Sequence, residues 1–298
     1  MSKTVHVSPA LLVMAVVATV FVVVLPFMFG GIAHKKLAVG WKYFWFGALV
    51  MLVAQPLTRV PLIEALQNTV LAPLLRTSIT FTWIWVAVQA VTAGLFEEGG
   101  RSIGYRLFMR REPKTWAKAV MYGIGHEGLE SVLLGGGLQI VLPLLSVALL
   151  SSINLGSLPE ASRQAAIQQI ASINALPIWS PLLIAWGRLW SFPLQVALSV
   201  MVLQVFRQRQ RRWFFLALLF HTLIDFLTLA LPQAFGQSTA LQLVLGGMLC
   251  VFGLLGIWII WHLREPDDQA GAEEEIAHRE SYPKWRGLLA KLPEKGYD

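Results

Sequence analysis

The chain has 298 residues, 56% of them hydrophobic and 14% charged, with a mean hydropathy of +0.61. These values exclude an ordinary soluble globular domain and fit an all-α, polytopic bundle integral to a membrane. One cysteine, Cys250, excludes an internal disulfide and a cysteine-built metal site, and the formal charge of +7 reports orientation and anionic headgroups, not nucleic acid.

That charge is uneven. Residues 1–263 hold 18 basic and 8 acidic groups, whereas 264–298 hold 6 and 9. The chain therefore divides into a membrane domain (1–263) and an acidic tail (264–298), expected to be mostly disordered. The first apolar run, residues 10–29, exceeds the roughly 7–15 residues of a signal-peptide core and reads as a retained span. Seven segments reach the roughly 20 apolar residues a transmembrane helix needs: 9–31, 39–57, 79–105, 117–150, 178–206, 213–232 and 239–262. Trp41, Trp116, Trp179, Trp213 and Trp261 fall near their ends, as an interfacial aromatic belt requires. Cys250 sits inside the seventh segment as a small apolar filler.

His34-Lys35-Lys36, the stretch 106–118 and the stretch 207–212 are basic, while the alternate connectors hold only Arg59, Arg76 and Arg163. Seven spans put every basic connector on one side. The positive-inside rule then places the N-terminus outside and the tail in the cytoplasm, in a bacterial plasma membrane. Residues 61–75 read as an interfacial helix with Leu62, Leu66, Val70 and Leu74 on one face. Residues 159–175 read as a second one, with Pro159 opening it and Ala166, Ile167, Ile170 and Ile173 apolar. The fourth span is longer than a bilayer is thick, and Gly135-Gly136-Gly137 is expected to break or tilt it. Pro193 and Gly187 shape the fifth span, and Arg188 reads as a snorkelling or packing residue.

Against this apolar background stand Glu97, Glu98, Arg101, His126, Glu127, Glu130, His221 and Asp225. Ionisable groups inside spans are costly, so a cluster of them marks a functional site. Residues four apart share a helix face, which pairs Glu97 with Arg101, His126 with Glu130, and His221 with Asp225. Glu97 lies nine residues before Arg106, His126 eight after Lys118, and His221 nine after Arg212. At about 1.5 Å per residue, all three reach roughly 12–14 Å below the basic surface. That matched depth suits a wet catalytic pocket opening to the cytoplasm.

Amide hydrolysis needs a base for water, donors for the oxyanion and an acid for the leaving amine. Glu97 or Glu98 could be the base, His126 could share the water or protonate the amine, and His221 could donate to the oxyanion. Glu98–Arg101 could equally be a structural ion pair. Glu127, about 100° round from His126, reads as supporting, and Glu130 as either supporting or catalytic.

Glu97-Glu98-Gly-Gly-Arg101, Tyr122-xxx-His126 and His221-xxx-Asp225, in that order on three spans, resemble the motifs of the CAAX-protease and bacteriocin-processing (CPBP, ABI clan) superfamily of intramembrane proteases. The run His126-Glu127-Gly128-Leu129-Glu130 is most similar to that of YhfC-like membrane peptidases. The resemblance covers roughly 79–232. It implies a glutamic-type intramembrane endopeptidase with no metal cofactor, in which Glu97 and His126 activate water and His221 and Asp225 line the oxyanion site. Arginine follows the glutamate pair after two residues here, where the prenyl-protein processing enzymes have three. The last motif ends in aspartate, which as an anion cannot donate to an oxyanion, so Asp225 must be protonated or must orient His221. The implied partners are the lipid bilayer and a protein or peptide substrate, with a lipidated one allowed.

Three other readings fit the same residues. Zinc held by His126, His221 and Glu130 (or Asp225), with Glu97 as base, makes a metalloprotease, although the second histidine of HExxH is replaced. Buried carboxylates and histidines also build proton-coupled transporters. A binding or immunity protein would use the fold without cleavage.

Overall fold

The computed structural model describes residues 8–152 and 155–264. The expected disordered tail, from residue 265 onward, lies outside the described residues. Nine helices matter for the site: α1 (Pro9–Lys36), α2 (Trp41–Val70), α3 (Ala72–Thr77), α4 (Ile79–Leu107), α5 (Trp116–Leu150), α6 (Glu160–Asn174), α7 (Ser180–Arg207), α8 (Arg212–Phe235) and α9 (Thr239–His262). All but α3 and α6 are long and apolar enough to cross a membrane, which gives the seven expected spans. The described residues contain no strand.

The interfacial helix expected at 61–75 does not form as a separate element. The second span runs on through Val70 and breaks at Leu71. Pro56, Pro61 and Pro73 lack amide hydrogens, and each disturbs the turn that precedes it; the chain carries π-helical turns at Gln55–Arg59, ahead of Pro61, and at Leu66–Val70, ahead of Pro73, and does not stop at Pro56 or Pro61. In α5 the Gly135–Gly137 run likewise produces a π-helical stretch, Ser131–Val141, and not a break. The short helix α6 is present as expected, with Ala166 and Ile170 buried, although Ile167 is exposed and Pro159 stands just before the first turn.

The bundle is organised on α7, the most enclosed span, against which α1, α5, α8 and α9 pack. Close approach depends on missing side chains. A Cβ on Gly47 of α2 would overlap the Tyr122 carbonyl oxygen of α5, and one on Gly125 of α5 would overlap the Phe44 carbonyl oxygen of α2. The two backbones therefore touch, in the small-residue mode of membrane helix packing. The α9–α7 contact is built the same way: a Cβ on Gly253 would lie 2.7 Å from the Trp190 carbonyl oxygen, and one on Gly256 2.7 Å from that of Pro193. The remaining apolar faces, such as Val13 and Val16 on α1 or Leu219 on α8, are exposed to the bilayer.

At the end bearing the basic connectors, Glu112 gathers three neighbours. It accepts from Lys42 at 2.5 Å and from Tyr43, with Lys118 3.8 Å away. Partial burial opposes its ionisation, but the bonds from Lys42 and Tyr43 and the two lysine charges prevail and hold its carboxyl below the usual range.

Candidate active site

Two turns of α4 supply Glu97, Glu98 and Arg101, all essentially buried. Arg101 bonds both carboxylates: Nη1 donates to Glu98 Oε1, and Nη2 reaches Glu97 Oε2 at 3.3 Å. The two-residue spacing thus lets one guanidinium serve both acids, as i,i+3 and i,i+4 neighbours.

Two imidazoles approach Glu97 from other helices. His126 on α5 places Nε2 3.0 Å from Glu97 Oε2, and His221 on α8 places Nε2 3.8 Å from the same oxygen. The groups of equal expected depth do meet. His221 turns Nδ1 to Glu98 Oε1 at 2.7 Å. Asp225 Oδ2, at 3.6 Å from His221 Nε2, is beyond hydrogen-bonding distance. Glu98, and not Asp225, therefore orients His221. Glu98 on α4 reaches Nδ1 from across the α4–α8 contact, whereas the i+4 side chain of the same helix stands on the Nε2 side.

Glu130, one turn beyond His126, accepts from Gln195 Nε2 at 3.1 Å and from Arg188 Nη1 at 3.0 Å. Glu127 faces away from His126. It accepts from Ser131 at 2.6 Å and Ser191 at 2.5 Å, with Arg188 3.5 Å away. Arg188 is thus no snorkelling residue but the counter-ion of both acids, with its side chain 15% exposed. A guanidinium inside the bundle gains more from two carboxylates than from reaching for a distant interface.

Two glutamines complete the shell. Gln55, carried into the core at the first π-helical turn of α2, donates to Glu97 Oε1 at 2.6 Å and accepts from Arg59 at 3.1 Å. Gln195 on α7 accepts from Arg101 and donates to Glu97 Oε2 (3.4 Å) and Glu130 Oε2 (3.1 Å). Neither is marked in the sequence by formal charge. Their signal was an uncharged amide inside an apolar span, in LVAQPL and FPLQVA.

The residues fit a divalent metal on two observations. Single ligand atoms of Glu97, His126 and Glu130 all lie within 4.8 Å of one another, and two ligands on one tetrahedral zinc stand roughly 3.3 Å apart, so small side-chain shifts bring all three into range. His126 Nδ1 is also buried without a hydrogen-bond partner among the described residues, so this imidazole has ligand capacity to spare. His221 is not among the three converging donors, although its Nε2 lies 3.8 Å from Glu97 Oε2; the group that converges among the described residues is Glu97–His126–Glu130, which shares His126 and Glu130 with the zinc set expected from the sequence.

A cavity of about 460 Å³ reaches Glu130, Gln195, His221 and Asp225. It extends between α7, α8 and α9 towards Ser180 and Gln242, the ends of α7 and α9 remote from the basic connectors. The pocket expected to open on the basic side therefore runs the other way. On the basic side Tyr105 and Tyr122 stack at 4.9 Å and Met109 and Met121 are also fully buried, and the groove of about 480 Å³ between α2 and α4 is lined by no ionisable residue.

Comparison with known proteins places the chain in a family. A family model described as YhfC intramembrane metalloprotease matches residues 20–244. The uncharacterized membrane protein YhfC of Bacillus subtilis (strain 168) is 29% identical over 148 residues, covering 48% of this chain and 55% of that protein. The chain thus matches only about half the length of that relative. No solved structure matches. The chain belongs to the YhfC intramembrane metalloprotease family, and the peptidase role carried by that description is the one the motifs suggested.

Proposed function

From its membership of the YhfC intramembrane metalloprotease family, we propose that this chain is a zinc-dependent intramembrane endopeptidase whose catalytic core is residues 79–232. Glu97, His126 and Glu130 hold the ion. When bound, it supplies a nucleophilic water at neutral pH and polarises the scissile carbonyl. The observation that carries the reading is the convergence of those three donors beside a second imidazole, His221, oriented from behind by Glu98.

The protein's own groups divide the remaining work. The Glu98 carboxylate accepts from His221 Nδ1–H and leaves Nε2 as the basic nitrogen. His221 Nε2, at the cavity floor, takes the proton of the attacking water and returns it to the leaving amine. Glu98 stabilises the imidazolium in between, the role a carboxylate plays behind histidine in acyl-transfer sites. Arg101 holds Glu97 and Glu98 in place, and Gln55 and Gln195 fix the rotamer of Glu97. The charge asymmetry of the connectors supports an N-terminus outside and a C-terminus in the cytoplasm.

A second, metal-free reading draws on one observation: the Glu97–His126 contact of 3.0 Å is already a hydrogen bond, and Arg101 already neutralises Glu97. This is the glutamic mechanism of the CPBP superfamily, with Glu97 and His126 activating water directly. The test is cleavage of a membrane-protein substrate by purified protein before and after chelation. Loss of turnover on chelation, restored by zinc, supports the metal; turnover indifferent to chelator transfers the assignment to the glutamic mechanism.

A further inference from the structure

The cavity that ends on His221 and Asp225 plays no part in holding the cluster together. We infer that it is the cleft for an extended, uncharged aliphatic peptide segment, which enters from the bilayer between α8 and α9 in the half of the bundle remote from the basic connectors. The inference rests on the peptidase reading above.

Position comes first. The floor carries Glu130, His221 and Asp225, and the far end carries Gln139, Ser180 and Gln242. Its volume, about 460 Å³, lies within the roughly 300–1,000 Å³ of ligand pockets. A segment lying along it would deliver a peptide bond to the His221 imidazole. Both α8 and α9 pack chiefly on other helices and make little contact with each other, so the seam between them faces lipid.

Chemistry selects the occupant. The walls between floor and far end are aliphatic, with Ile224 on one side and Leu245 and Leu249 on the other. Extended backbone in such surroundings must find hydrogen-bond partners, because none come from lipid. Side-chain amides and hydroxyls are spaced along the cleft for that purpose. One of them, Ser180 Oγ, is buried without any hydrogen-bond partner among the described residues. An acidic substrate residue near the floor would meet Glu130 and Asp225, whose neighbour Arg188 is already engaged by two carboxylates. That opposes acidic segments, and the aliphatic walls, which cannot replace the hydration of a charged side chain, oppose basic ones along the rest of the cleft.

The test uses full-length protein carrying Glu97→Gln in detergent, with an uncharged Leu/Ala peptide bearing a central benzophenone. Photo-adducts located by mass spectrometry are expected on residues 224–249. Two blocking variants are added. Leu245→Trp fills the cleft from α9. Gly187→Leu fills it from α7, where even a Cβ would already touch Leu249 at 3.5 Å. Each is expected to lower cleft labelling by at least roughly tenfold. They sit on different helices, so a folding defect in one leaves the other to decide. Adducts confined to lipid-facing positions such as Leu219 and Leu254, or cleft adducts undiminished in both variants, overturn the inference. A peptide held in the cleft but left uncut by the wild-type protein supports the cleft and counts against the peptidase. A peptide cut without labelling the cleft does the reverse.

Discussion

His221 presents Nδ1 to Glu98 Oε1 at 2.7 Å, across the interface between α8 and α4. This contact assigns the two adjacent glutamates different work: Glu97 faces the converging metal donors, and Glu98 stands behind the second imidazole. Glu98→Gln is therefore expected to lower turnover by roughly 10²–10⁴-fold, the range for loss of general acid–base function, while bound zinc is retained. Asp225→Asn, lacking that contact, is expected to cost much less. Parallel measurement of turnover and metal content separates the two roles, and equal losses in both variants would remove the distinction.

Gln195 spans the site. Its amide oxygen accepts from Arg101, and its nitrogen reaches Glu97 and Glu130, both proposed ligands. Groups that orient metal ligands typically contribute about 10–100-fold to affinity. Gln195→Leu is expected to weaken zinc binding by that factor in a competition titration, and Gln195→Glu to disturb the site through a further buried carboxylate. Unchanged zinc affinity in Gln195→Leu would reduce the residue to packing.

Arg188 neutralises Glu127 and Glu130 together. Removing one partner of a buried ion pair leaves uncompensated charge and costs about 3–5 kcal/mol. Arg188→Met is expected to show a loss of that order in unfolding measurements, and the double variant Arg188→Met with Glu127→Gln to recover part of it. Additive losses in the double variant would show that the three groups do not act as a unit.

Glu112 supplies a pH dependence outside the membrane. Its folded-state carboxyl titrates below its ordinary value, so the contribution to stability is complete above that value and is lost as the pH falls through the folded one. Glu112→Gln is expected to lower stability at neutral pH and to leave a smaller acid-side decline than in the wild type, read by thermal unfolding between about pH 3 and pH 7. An acid-side decline identical in both proteins would contradict this.

Much of the bundle was legible in the chain. Seven apolar stretches of sufficient length specify seven spans, because hydrocarbon leaves the backbone no other economical way to satisfy its hydrogen bonds. Matched distances from the basic markers single out Glu97, His126 and His221 in the sequence. Three features were not legible. The continuation of α2 past Pro56 depends on π-helical widening, which local propensity does not encode. Gln55 and Gln195 carry no charge, so their importance appears only where they reach Glu97. The direction of the cavity depends on what packs on the basic side of the cluster, namely the stacked Tyr105 and Tyr122, and aromatic residues in a span read equally well as lipid-facing.

Zinc content of the purified, detergent-solubilised protein, determined by elemental mass spectrometry for the wild type and for Glu97→Gln, His126→Ala and His221→Ala, decides whether this cluster is a metal centre. About one equivalent is expected in the wild type and in His221→Ala, with strong depletion in the other two. Wild-type protein that cuts its substrate at full rate with no stoichiometric metal would contradict the assignment of Glu97, His126 and Glu130 as ligands.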